Sequence, residues 1–197
     1  MTDRPILFSG PMVCAILDGK KTQTRRVVKT RKCPDFGCEL APGEIACDAH
    51  PERLCPYGKP GDRLWVRETW NQFDGWASYS YAADYDGWGI GPDDDPDHVP
   101  DHAVRWKPSI HMPRAASRML LEITGVRVER LQSISRGDAM AEGCPFPNMA
   151  AGPDPRDWYR ELWDEINGPD SWGANPWVWV VEFKRIQAPG AAPGGQP

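Results

Sequence analysis

The chain has 197 residues and a mass of 22.1 kDa, with 40% hydrophobic and 26% charged residues and a formal net charge of -5. That length predicts one domain with a real core and room for insertions, while the acidic balance excludes a wholly basic nucleic-acid coat. The longest apolar run, Trp177 to Val181, is too short to span a bilayer, and the stretch after Arg4 is broken by Ser9, Gly10 and Pro11, so no export signal is read there; the expectation is a soluble, cytoplasmic protein that meets no membrane.

Ile6-Leu7-Phe8 can open a sheet, and Ser9-Gly10-Pro11 then supplies a helix start. Met12, Val13, Ile16 and Leu17 recur at helical spacing, with Gly19 as the stop. From Thr22 the sequence turns β-branched and alternating, which predicts a strand. Residues 30–61 are rich in Cys, Pro and Gly and show no period. Regularity returns at Asp62-Arg-Leu-Trp-Val-Arg-Glu, where Leu64, Val66 and Glu68 share one face and Arg63, Trp65 and Arg67 the other. Ser78 to Ala83 reads as a further strand, and the stretch from Asp84 to Asp101, with seven Asp, as a solvated loop. Met119 to Arg130 alternates around Gly125, as one bent strand or a hairpin. Ser133 to Glu142 predicts a short helix capped by Ser135, and Asp157 to Ile166 an amphipathic helix burying Trp158, Leu162, Trp163 and Ile166. Trp177 to Ile186 is apolar on both sides at first, as expected of a central strand. The Pro/Gly/Ala tail, 188–197, reads as disordered.

Five or six strands with a few short helices and no βαβ rhythm indicate an α+β domain or a compact mixed β-barrel over 1–187. The Cys-rich insertion (about 30–61) and the acidic loop (about 84–101) interrupt it. Cys33, Cys38, Cys47 and Cys55 crowd into that first insertion, a set that suits a structural Zn²⁺ or reduced thiols, with His50 able to replace one Cys. Four protein ligands leave no open position, so no cofactor is expected for catalysis.

Ile16-Leu-Asp-Gly-Lys-Lys-Thr-Gln-Thr-Arg-Arg26 resembles the opening signature of the ASCH domain, a PUA-like family. Gly61-Asp-Arg-Leu-Trp-Val, Asp138-Ala-Met-Ala-Glu-Gly143 and Val180-Val-Glu-Phe-Lys184 follow in that family's order, and the longer phrases around residues 55–70 and 108–132 are similar to a phage and prophage branch. The resemblance implies a PUA-like mixed β-barrel with short peripheral helices and a cleft for a nucleobase or nucleoside. Small bacterial members sharing Lys-Thr-x-Thr-x-Arg are amidohydrolases that remove the acetyl group of N4-acetylcytidine; their catalytic Lys, Thr and Glu fall on Lys21, Thr24 and Glu142. Other members are thought to bind RNA, so the expected partner is a modified nucleoside or RNA.

Amide cleavage needs a nucleophile, a base, a proton donor for the leaving amine and a stabilised oxyanion. Thr24 supplies a hydroxyl, sharing a strand face with Thr22 and Arg26. Lys21 serves as base only if burial or the cations around it lower its pKa. A carboxylate such as Glu142 beside it acts in the opposite sense, so the two would titrate together. In a second assignment Lys21 stays a cation and Glu142 is the base for a water. Without any function, Gly19-Lys20-Lys21-Thr22 is a helix stop with basic residues where the helix dipole favours them. The seven Lys and Arg between Lys20 and Lys32 then form a solvated face or a phosphate-binding stripe. Arg67 and Glu68 are further candidates for a base edge, or an exposed ion pair; His111 lies just before a long strand, and Trp65, Trp70 and Trp76 are candidates for stacking. A protein–protein adaptor using exposed Trp is a third reading.

Overall fold

The computed structural model describes residues 2–72, 79–85, 104–148, 150 and 152–186. Its strands are β1 (Asp3–Leu7), β2 (Gln23–Val27), β3 (Arg31–Lys32), β4 (Glu39–Leu40), β5 (Arg63–Arg67), β6 (Trp70–Asn71), β7 (Ser80–Tyr81), β8 (Leu120–Arg130) and β9 (Trp177–Ile186). The α-helices are α1 (Gly10–Leu17), α2 (Pro42–Ala46), α3 (Arg136–Ala141) and α4 (Pro155–Asn167). Five strands form one mixed sheet in the order β1-β5-β8-β9-β2, with β1 and β5 parallel and the other pairs antiparallel. This is the α+β architecture expected. No helix among the described residues is long and apolar enough to cross a membrane.

The spine of the sheet is β8 on β9. The alternation around Gly125 belongs to one strand and not to a hairpin; the register shifts between Ile123 and Gly125, a bulge that bends the strand. A side chain at Gly125 would start 2.7 Å from a Glu182 carboxylate oxygen, so that carboxylate would have to move aside for any larger residue. β9 is buried on both faces, as its apolar run predicts. Trp179, Val181 and Phe183 join Ile6, Phe8, Val13, Leu64, Val66 and Leu121 in the main core. Val178 and Val180 face the other way, under Tyr159 and Trp163 of α4.

The sheet curls until its two edges face each other. Among the described residues no ladder joins β1 to β2; the Arg26 guanidinium spans the gap, donating to the Leu7 carbonyl at 2.7 Å and lying 5.6 Å from the Phe8 ring centre. The Gly61-Asp62 motif has a structural task here: Asp62 accepts the Thr2 N–H at 3.0 Å and the Lys59 N–H at 3.3 Å, fixing β1 beside β5.

Several segments differ from the sequence reading. The Cys-rich stretch folds into the β3–β4 hairpin, α2 and a 3-10 turn at Pro51–Leu54, and it contributes Ile45, Leu54 and Cys55 to the main core. Three apolar residues so widely spaced give no period. The strand read at 78–83 is only Ser80–Tyr81, because the chain turns into a 3-10 segment at Ala82–Asp84. Ile166 is half exposed, not buried, since α4 places it at the rim of a cleft. The acidic stretch beyond Tyr85, the 188–197 tail and Trp76 lie outside the described residues.

Candidate functional site

Lys21 is set in place by the chain on both sides of it. Gly19, in the left-handed region at φ 73°, ends α1, and the Lys20 and Lys21 N–H groups both return to the Ala15 carbonyl at 2.9 Å. The Thr22 N–H then bonds the Ala141 carbonyl at 2.8 Å, and Lys21 and Glu142 pair as an isolated antiparallel bridge. α3 positions Glu142. Its capping box closes when Ser135 Oγ accepts the Asp138 N–H at 3.0 Å while the Asp138 carboxylate accepts the Ser135 N–H at 3.2 Å, and Glu142 caps the other end. Gly143 follows at φ 100°, where an added Cβ would lie 3.1 Å from the Ala15 Cβ and 3.2 Å from the Lys21 Cβ.

Register explains the charge arrangement. Thr24 sits opposite Val181 and so faces the main core, whereas Arg25 sits opposite Val180, on the α4 side. Glu142 lies beyond the free edge of β2 and takes a cation from each side. Lys21 Nζ donates to one carboxylate oxygen at 2.7 Å and to the Glu142 main-chain carbonyl at 2.9 Å; Arg25 Nη1 donates to the other oxygen at 3.0 Å. The three side chains are 1%, 3% and 0% exposed for Lys21, Glu142 and Arg25. Arg25 is further held by Glu129 at 2.7 Å and Asp138 at 3.5 Å, and Arg127 ties Glu129, Asp138 and Glu182 together behind it. Burial pushes the Lys21 ammonium below its ordinary value; Glu142 opposes this, and Arg26 and Arg25 add to the lowering.

A cavity of about 390 Å³ opens beside β2. Thr24, Arg26, Lys29 and Glu142 supply its polar wall, and Tyr57, Tyr159 and Trp163 its aromatic one. Burial holds the Tyr159 phenol well above its ordinary pKa, so it stays a neutral hydrogen-bonding group. Thr24 is 3% exposed. Lys21 does not reach the cavity wall; it stands behind Glu142.

Lys21, Thr24, Arg26 and Glu142 are thus brought together, whereas Arg67, Glu68 and His111 do not line this cavity. Arg67 and Glu68 are not the exposed ion pair that the sequence allows, and each has its own partners. Arg67 donates to the Met112 carbonyl at 3.0 Å and lies 4.8 Å over Trp65, while Glu68, 1% exposed, takes two bonds of 2.9 Å from Arg118. Arg118 also pairs with Asp84. His111 is exposed in a 3-10 turn at Ser109–His111. Trp65 and Trp70 are packed inside the protein. In the insertion, Cys33 and Cys38 close the loop end of the β3–β4 hairpin, where the Cys33 N–H bonds the Cys38 carbonyl at 2.7 Å; Cys47 and His50 are exposed and Cys55 is buried. Among the described residues no three His, Cys, Asp or Glu side chains converge as a metal site.

Sequence reasoning missed Tyr57, Tyr159 and Trp163, and it counted Arg25 only among the cations near Lys21, not as a partner of Glu142. Strand alternation alone separates Arg25 from Thr24, and only the position of Glu142 at the strand edge reunites them. Tyr159 and Trp163 are four apart on α4, a spacing that signals a helix face but not what the face covers.

No family model and no curated protein matches the chain. Two solved structures are similar to it. One is an ASCH domain from Lactobacillus crispatus JV V101, 13% identical, with a TM-score of 0.37 over 95% of this chain and 81% of that one. The other is protein EF3133 from Enterococcus faecalis V583, of the DUF984 family model, 11% identical, with a TM-score of 0.41 over 99% of this chain and 86% of that one.

Proposed function

We propose that the cavity beside β2 binds a nucleobase or nucleoside bearing an N-acyl group and that the chain hydrolyses the amide, with N4-acetylcytidine as the first substrate to test. One observation carries this reading: a buried lysine whose charge is disfavoured is hydrogen-bonded to a carboxylate, and that carboxylate lines a cavity together with Thr24. The Lys-Thr-x-Thr-x-Arg resemblance points to the same residues.

Because Glu142 lines the cavity and Lys21 does not, Lys21 acts through Glu142 and is a positioning residue. The Lys21–Glu142 pair takes a proton from water as one unit. The water oxygen adds to the acyl carbonyl carbon, and the Thr24 hydroxyl donates to the oxyanion that forms. The pair then returns the proton to the exocyclic nitrogen as the C–N bond breaks, releasing the carboxylic acid and the free amine. Tyr57, Tyr159 and Trp163 offer faces for the base, and Arg26 and Lys29 offer donors to its oxygens or the sugar.

A small ligand is favoured over a polymer by the fate of the basic stripe. Lys20 pairs with Asp18 at 3.0 Å, Lys21 and Arg25 are buried on Glu142, and Arg26 spans the sheet edges, so four of the seven cations are engaged within the protein. The test is incubation of the purified protein with N4-acetylcytidine and chromatography for cytidine, beside Glu142→Gln, Lys21→Met and Thr24→Val, with folding checked by circular dichroism. Turnover in the wild type that is lost in Glu142→Gln supports the reading; a folded wild type that releases no cytidine overturns it.

A further inference from the structure

A second compartment lies against the same carboxylate. A groove of about 670 Å³ runs between α1 and α4, and Glu142 lines it as well as the 390 Å³ cavity. Three side chains, Met12, Leu162 and Ile166, line both spaces and so form the partition between them. The smaller holds Arg26, Lys29 and the tyrosines; the larger is lined on its own side by Ala15, Pro145 and Trp158 together with the exposed Asp18, Lys20 and Glu165. A ligand whose reacting bond sits at Glu142 therefore has the aromatic cavity on one side and, on the other, a larger groove with an apolar wall at Ala15, Pro145 and Trp158. An acetyl group fills only a small part of a 670 Å³ groove.

We infer that the groove is an acyl-chain subsite and that the preferred substrates are cytosine-type nucleosides carrying an apolar acyl group of several carbons on the exocyclic amine. This rests on the hydrolytic reading of Glu142 and adds the class of acyl group. The base lies in the cavity against Arg26 and the aromatic wall, the amide carbonyl stands over Glu142, and the chain passes the Met12–Leu162–Ile166 partition to lie on Trp158. Met12 suits that position, since an unbranched side chain adapts to what passes it.

The experiment is a kcat/KM series with the full chain on N4-acetyl-, N4-butyryl- and N4-hexanoylcytidine, beside binding titrations of the unhydrolysable N4-methyl- and N4-hexylcytidine. Each buried methylene is expected to raise kcat/KM by about threefold to fourfold, giving a hexanoyl-to-acetyl ratio on the order of 100. Trp158→Ala is expected to cut that ratio by about tenfold and Trp158→Phe to keep most of it. A flat or falling series with acetyl turned over overturns the acyl subsite and leaves the hydrolase standing. No turnover of any amide of the series, with N4-hexylcytidine bound more tightly than N4-methylcytidine, overturns the hydrolase and supports the apolar subsite. No turnover and no dependence on chain length overturns both.

Discussion

Replacing Glu142 by Gln tests the buried pair at its centre. The substitution keeps the shape of the side chain and removes the charge that faces Lys21 at 2.7 Å and Arg25 at 3.0 Å. Arg25 retains Glu129 at 2.7 Å, so the uncompensated charge is chiefly that of Lys21. Removing one partner of a buried pair is expected to cost about 3–5 kcal/mol at neutral pH. The loss depends on pH, and its direction follows from the lowered pKa of Lys21. In the unfolded chain Lys21 holds its proton up to about 10.5, while in the folded protein it releases it earlier. The unfolded state then binds more protons over that window, so stability rises with pH between the lowered pKa and 10.5. Without Glu142 nothing opposes desolvation, and the window opens at lower pH. The deficit of Glu142→Gln against wild type should therefore shrink as pH rises, by at most about 1.4 kcal/mol per pH unit for one proton. The assay is urea unfolding of both proteins from neutral pH to about 10, which cancels groups common to the two. A deficit below about 1 kcal/mol, or one that does not change with pH, refutes the reasoning. The double variant Lys21→Met, Glu142→Leu supplies an internal check, and it should be more stable than Glu142→Gln.

Other consequences are open to simpler measurements. Gly143→Ala should lower stability by about 1–3 kcal/mol in chemical unfolding, because a non-glycine residue at φ 100° is strained and its Cβ meets Lys21; its hydrolytic rate should fall further than its stability alone explains. Arg26→Met should cost about 1 kcal/mol, the worth of one hydrogen bond between the sheet edges, and should weaken nucleoside binding in a fluorescence titration. Glu68→Gln should cost about 2–4 kcal/mol by weakening the two-bond clamp of Arg118 while leaving kcat on the acyl nucleoside within about twofold of wild type; a large kcat loss in folded Glu68→Gln would show that the Arg118 cluster belongs to the chemistry after all.

The parts of the fold legible in the sequence are those whose information is local. The alternation of β8, the doubly apolar run of β9 and the Ser135 cap are written in neighbouring residues, and each stands in the structure where its pattern places it. Lys21, Thr24 and Arg26 could be placed by the helix stop and strand alternation, and Glu142 by its motif. The partners that define the site could not. Arg25 meets Glu142 across 117 positions and Glu68 meets Arg118 across 50, and no periodicity carries information over such spans. The core residues Ile45 and Leu54 were hidden for a related reason: each is a single apolar residue in a Pro- and Gly-rich segment, buried by the sheet beneath it and not by its own element.

The bridge between Lys21 and Glu142 also guards the protein against its own sheet. β2 is a terminal strand, and the outer row of peptide groups of such a strand invites pairing with another copy. Here the Thr22 N–H is already spent on Ala141, and the 141–143 turn lies over the start of the strand with two buried cations behind it. Any chain adding to this end of β2 would have to displace Glu142, leaving Lys21 unpaired and Arg25 with only Glu129 and Asp138. The charge cluster that equips the cleft thereby makes intermolecular strand addition costly, and variants that neutralise it are the ones whose solutions should be watched for self-association, by light scattering, before any loss of activity is assigned to chemistry.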